Sequence, residues 1–107
     1  MSAPAWTPVA SLDDFAASDA VAVRCAGREV ALYLVSGAVY ATANRCTHGD
    51  ARLCDGFLEG HEIECPHHQG RFDVRSGVAT AAPAEVALAT WPARLVEGRV
   101  ELLIEEG

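Results

Sequence analysis

The sequence predicts an all-β domain, and three observations carry that prediction. Short runs rich in Val, Leu, Tyr and Thr recur along the chain, two-residue turns containing glycine separate them, and only one brief stretch looks helical. That stretch comes first: at residues 11–17, Ser11 is placed to cap, and Asp13 and Asp14 sit in the first turn, where the helix dipole favours negative charge. One short turn of helix accounts for it. Residues 21–25 and 29–35 then flank Ala26-Gly27, and residues 29–35 and 39–42 flank Ser36-Gly37, which gives two consecutive hairpins. A third hairpin follows near the end, where residues 93–96 and 100–104 flank Glu97-Gly98. The alanine-rich piece 78–89 contains Pro83 and shows no helical stripe, so it reads as a loop leading into a strand.

Length and charge bound what such a domain does. A chain of 107 residues, half of them hydrophobic, reads as one domain over residues 1–107 with enough apolar material for a core. Its net charge is −7, it contains no lysine, and its eight arginines are scattered. Nucleic acid is excluded as a partner, because phosphate binding needs clustered positive charge. An acidic chain is instead steered toward partners with basic patches. No apolar run approaches the roughly 20 residues of a membrane helix, and the start, Met1-Ser2-Ala3-Pro4-Ala5-Trp6, lacks a secretory pattern. A cytoplasmic location is expected, and there four cysteines point to metal or redox chemistry rather than disulfides.

The chemistry concentrates in residues 44–77, which hold three of the four cysteines, all four histidines and five of the nine glycines. Two clusters stand out, Cys46-Thr47-His48 and Cys65-Pro66-His67-His68. Each offers one thiolate and one imidazole, a donor set that suits a tetrahedral zinc or an iron–sulfur centre. Zinc modules usually place two cysteines on one knuckle. Here each arm is mixed, which favours a two-iron cluster with unlike irons over a Cys2His2 zinc module. Cys25, in a strand, reads as a small buried hydrophobe, and Cys54 lies in the first loop outside the pattern.

Cys46-Thr47-His48-Gly49 and Cys65-Pro66-His67-His68-Gln69-Gly70 resemble the two binding boxes of Rieske proteins. With Asp55-Gly56-Phe57-Leu58-Glu59-Gly60 between the boxes and Gly70-Arg71-Phe72-Asp73 after them, the chain is similar over nearly its whole length to the small Rieske ferredoxins of bacterial aromatic-ring dioxygenase systems, in particular the naphthalene type. The resemblance implies the Rieske fold, small antiparallel sheets with two cluster-binding loops at one tip. It also implies one [2Fe-2S] cluster per chain, with Cys46 and Cys65 on one iron and His48 and His68 on the other. The family's second box is Cys-x-x-His, which selects His68 and leaves His67 as a half-exposed loop neighbour with no role in the metal. Pro83 matches the family's third, proline-containing loop, and with Leu53 and Pro66 it is expected to form an apolar rim. Gly49 and Gly70 are positioned to let backbone N–H groups approach sulfide.

With two ferric ions, two sulfides, two thiolates and neutral imidazoles the centre carries no net charge, so an electron is easier to add than to an all-cysteine cluster. The respiratory members of the class have an extra cysteine in each box, and Ala51 and His67 occupy those positions here. Their serine and tyrosine donors are replaced by Gly70 and Phe72, which places the expected potential near the low end of the Rieske range, about −150 mV. The implied function is one-electron transfer from an NAD(P)H-dependent flavin reductase to the terminal Rieske oxygenase of an aromatic-ring-hydroxylating system, as a monomer that docks transiently. The same chemistry would serve a Rieske subunit of another redox system, such as one like the nitrite reductase small subunit. An oxygenase is rejected by the histidine count, because after His48 and His68 only His61 and His67 remain, and no two glycines are spaced for a dinucleotide fingerprint.

Overall fold

The computed structural model describes residues 5–47, 51–67 and 69–104. Eleven strands run in the order β1 (Trp6–Ser11), β2 (Ala20–Cys25), β3 (Arg28–Val35), β4 (Ala38–Ala43), β5 (Phe57–Glu59), β6 (Glu62–Glu64), β7 (Arg71–Asp73), β8 (Ala79–Ala81), β9 (Thr90–Trp91), β10 (Ala93–Val96) and β11 (Arg99–Leu103). They form three antiparallel sheets, with strand orders β1-β11-β10, β2-β3-β4-β9 and β5-β6-β7-β8. This is the all-β arrangement of small sheets that the sequence predicts.

The three predicted hairpins are all present, and their turns share one conformation. Ala26-Gly27, Ser36-Gly37 and Glu97-Gly98 each hold both central residues at positive φ, from 50° to 82°, as a type I′ turn requires. Glycine accepts that geometry freely. The alanine, serine and glutamate before it do so against their own preference.

Strand β3 explains how two cores fit in so short a chain. Val30 and Leu32 face a core built with Val39, Ala41, Val100, Leu102 and Phe15. Ala31, Tyr33 and Val35 face a second core, with Ile63, Phe72, Val74 and Leu53. A strand covered on both faces needs apolar residues at consecutive positions, so residues 30–35 read as an unbroken hydrophobic run rather than an alternation. The Tyr33 hydroxyl shares a 2.9 Å hydrogen bond with Thr42 Oγ1, and burial raises its pKa above the ordinary phenol value.

Several elements differ from the sequence expectation. The helical stretch is a single 3₁₀ turn, Leu12–Phe15, in which the Asp14 carboxylate accepts from the Ser11 N–H at 2.9 Å. Strand β1 went unpredicted because Pro8 interrupts its pattern; it lies at a sheet edge, where a missing N–H is tolerated. The segment 78–89, expected as a loop leading into a strand, does lead into β9 but also contains β8, and residues 44–77 contain β5, β6 and β7. Each of these strands has three residues, too short for a period of two to register.

Candidate metal centre

The two cysteine clusters sit on two loops that close in the same way. In the first, the Cys46 N–H donates to the Ala51 carbonyl at 2.9 Å, and Arg45 and Arg52 form an isolated antiparallel bridge just outside it. In the second, the Cys65 N–H donates to the Gly70 carbonyl at 2.8 Å, and Glu64 and Arg71 are register partners just outside that. Each cysteine thus heads a turn whose closing carbonyl lies five positions further on.

Both cysteines point inward. Cys46 is 2% exposed and Cys65 1%, and both belong to the apolar cluster that contains Leu53, Ile63, Phe72 and Ala84. Two soft sulfur donors in one apolar environment fit a thiolate-held metal centre, because a buried thiolate is tolerated where a cation neutralises it. His48, Gly49 and His68 lie outside the described residues. Among the described residues no three His, Cys, Asp or Glu side chains converge, so the donor set implied by the sequence is two cysteines here plus the two histidines beyond.

The stems are built differently. The second loop continues the β6–β7 ladder, Glu62↔Asp73, Ile63↔Phe72 and Glu64↔Arg71. The Arg71 guanidinium donates to Glu64 Oε1 at 3.0 and 3.2 Å and lies 3.5 Å from Glu62 Oε1, and these carboxylates hold its pKa above the ordinary arginine value. In the first loop a side chain supplements the single bridge. Asn44, fully buried, accepts from the Cys54 N–H through Oδ1 at 2.9 Å and donates through Nδ2 to Glu29 Oε1 at 2.6 Å. Its carbonyl accepts from the Leu53 N–H at 2.7 Å, and its own N–H donates to the Glu29 carbonyl at 3.2 Å. Arg52 Nε donates to the same Glu29 oxygen at 3.2 Å. Hydrogen bonds from Asn44 and Arg52 lower the Glu29 pKa below its ordinary value.

A third loop, residues 82–88, touches both others. Thr47 Oγ1 donates to the Val86 carbonyl at 2.6 Å, and a Cβ added at Gly70 would come within 2.9 Å of Ala84 Cβ. The bare Cα at Gly70 therefore makes room for Ala84, which adds a reason for that glycine to the one expected from sequence. A shallow depression of about 240 Å³ opens beside this loop, lined by Thr47, Pro83, Glu85 and Val86.

Leu53, Pro66 and Pro83, expected to form an apolar rim, differ in depth. Leu53 is fully buried beneath the first loop, while Pro66 and Pro83 are half-buried and Val86 is exposed. His67, expected to be half-exposed, is exposed; Cys25 is buried at the end of β2, and Cys54 is half-buried in a 3₁₀ turn, Leu53–Asp55. The residues that sequence reasoning missed are Asn44, Glu29 and Thr47. Only the position of Asn44, two before the first cysteine, offered a signal.

Known proteins share this pattern. Residues 5–92 match the family pattern of the Rieske [2Fe-2S] domain. Over 100 residues the chain is 52% identical to the ferredoxin component of the naphthalene 1,2-dioxygenase/salicylate 5-hydroxylase systems of a Ralstonia species, covering 94% of this chain and 96% of that one. It is 50% identical over 95 residues to the ferredoxin component of the naphthalene 1,2-dioxygenase system of Pseudomonas putida, covering 89% and 91%. Its fold matches a chain from the solved complex of reduced oxygenase and oxidized ferredoxin in carbazole 1,9a-dioxygenase, with a TM-score of 0.83, 35% identity and 92% of each chain covered.

Proposed function

The chain belongs to the Rieske [2Fe-2S] family, and from that premise we propose that it is the electron-carrying ferredoxin of a bacterial aromatic-ring-hydroxylating dioxygenase system. The observation that carries this reading is the burial of Cys46 and Cys65 together at the heads of two identically closed loops. Cys46 and Cys65 would hold one iron of the cluster, and His48 and His68 the other. When bound, the cluster takes up and releases one electron at a time.

The rest of the chain serves that exchange. The loops exclude water from the thiolates through Leu53, Ile63, Phe72 and Ala84. The protein is a carrier rather than an enzyme, with electrons entering from an NAD(P)H-dependent flavin reductase and leaving to a terminal Rieske oxygenase. It works as a cytoplasmic monomer, so that the loop end is available to each partner in turn.

Absorption and electron-spin-resonance spectra before and after dithionite, with iron and zinc counted on the same sample, test the site. Visible bands that bleach, about two irons per chain and a reduced signal of low average g are expected. A colourless protein holding about one zinc would overturn the reading. Reconstitution with a flavin reductase and a ring-hydroxylating oxygenase then tests the partners, and product formation that depends on this chain is expected.

A further inference from the structure

The first cysteine loop rises from the end of β4 and reaches β5 with one isolated bridge, Arg45↔Arg52, between its two sides among the described residues. Backbone bonds from the Cys46 N–H to the Ala51 carbonyl and from the Leu53 N–H to the Asn44 carbonyl flank that bridge, and the Asn44 side chain adds a further tie between the sides. This side chain has one acceptor oxygen and two N–H donors to satisfy. The Cys54 N–H uses the oxygen, and Glu29 Oε1 and Cys54 Sγ, at 2.6 and 3.4 Å, take the donors. Three segments therefore meet on one fully buried amide: the start of β3, the outgoing side of the loop and its returning side.

We propose that Asn44, anchored by Glu29, is a positioning residue for the cluster: it fixes the base of the first loop so that Cys46 is held where it must meet the centre shared with Cys65. The inference rests on the Rieske reading. Asn44 touches neither cysteine through any of these bonds, and it acts through two connections. Along the chain, Cys46 follows it by two residues; across the loop, its side-chain oxygen ties back the Cys54 N–H, beside the main-chain bond from Leu53 that any residue here would keep. The second loop needs no such residue, because the β6–β7 ladder holds its sides.

Removing the amide leaves the Cys54 N–H without its acceptor, takes from the Glu29 carboxylate one donor while Arg52 remains, and lets one loop slacken while the other stays in register. The test compares two holoproteins, Asn44→Ala and Val100→Ala, the second a truncation in the core on the far face of β3. Iron transfer to a chelator, the electron-spin-resonance line shape of the reduced protein and urea unfolding followed by Trp6 and Trp91 fluorescence are measured on each. In Asn44→Ala, iron release about tenfold faster or more, with shifted g values, is expected. In Val100→Ala, lower urea resistance with an unchanged line shape is expected. If both variants keep the original line shape and iron release follows urea resistance alone, the amide is structural only and the proposal is overturned.

Should Asn44→Ala not fold, Glu29 supplies the second arm. Glu29→Ala removes the acceptor on which Asn44 is anchored, whereas Glu29→Gln keeps an amide oxygen there. Altered g values and faster iron release in the alanine variant, restored in the glutamine variant, support the proposal; two variants indistinguishable from the parent overturn it. A parent protein without iron would instead refute the Rieske reading itself.

Discussion

The two cysteine loops end alike and are held differently. Each closes by a cysteine N–H onto a carbonyl five positions on, yet the second grows out of a regular β-ladder while the first has a single backbone bridge reinforced by one buried asparagine. A ladder distributes its constraint over several backbone bonds, so replacing one side chain leaves the register intact. A loop pinned by a side chain concentrates the constraint where one substitution removes it. The two loops should therefore respond unequally to mutation near their bases and equally to mutation at their heads.

The largest effect tests the equality. Cys46→Ser and Cys65→Ser are each expected to abolish the two-iron signal, read by iron count and spin resonance. His68→Ala is expected to lose the cluster or change its spectrum, and His67→Ala to keep both. A cluster that survives His68→Ala but not His67→Ala would break the assignment of the second box. The proposed ligands were read from the sequence because their spacing is local, two residues from Cys46 to His48 and three from Cys65 to His68, with His68 chosen over His67 by the family's Cys-x-x-His box. The hairpins of the base were legible for the same reason, each being announced by an X-Gly turn between apolar runs. Asn44, Glu29 and Thr47 were not, because their partners lie 10, 15 and 39 residues away or belong to the main chain, which no local pattern reports. The strands β5 to β8 escaped because three-residue strands are defined by their neighbours rather than by their own sequence.

Where the loops meet, a smaller but still sizeable effect is expected. A Cβ added at Gly56, on the returning side of the first loop, would overlap the Glu64 carbonyl oxygen just before Cys65. Both contacting atoms are backbone, so neither side yields by a side-chain rotation. Gly56→Ala is expected to destabilise by about 1–3 kcal/mol, the usual cost of overpacking, and to disturb both loops together. Gly70→Ala meets Ala84 Cβ at 2.9 Å and its backbone nitrogen at 3.0 Å on the third loop, a milder overlap than that at Gly56, and a smaller loss is expected. Urea midpoints rank the two, and a larger loss for Gly70→Ala would show the third loop to be the stiffer contact.

Acid separates the loops further. The Glu29 pKa is lowered by its hydrogen bonds to Asn44 and Arg52, with Arg24 also nearby at 3.9 Å, so the folded state binds this proton less tightly than the unfolded chain. Its stabilising contribution is present above the ordinary carboxylate value of 4.5 and is lost as the pH falls through the lowered value. The sign fixes the prediction: parent and Glu29→Gln should differ in urea midpoint at pH 7, and the difference should shrink at successive steps below pH 4.5. Asp73, beside the second loop's ladder, has a pKa lowered in the same sense by Arg75. Asp73→Asn should give a similar curve without the change in iron release seen when the Glu29 anchor is removed. A difference that grows on acidification would contradict the sign for either residue.

The smallest effect leaves both loops alone. Ser36 holds φ at 50° in the turn between β3 and β4, a conformation that costs a residue with a Cβ roughly 1–2 kcal/mol and that asparagine visits more readily. Ser36 is exposed, so an asparagine there meets no packing constraint, and Asn-Gly is the favoured type I′ pair. Ser36→Asn is expected to stabilise by about 0.5 kcal/mol, which for a domain of this size raises the thermal midpoint by roughly 2–4 °C. Because β3 carries both cores, the gain strengthens the support beneath the loops without altering either base. The spin-resonance line shape and the chelator rate at a temperature well below unfolding should then be those of the parent. A stabilised variant that also released iron more slowly would show that the loops open through global unfolding, and the contrast between a side-chain pin and a backbone ladder would lose its mechanical meaning.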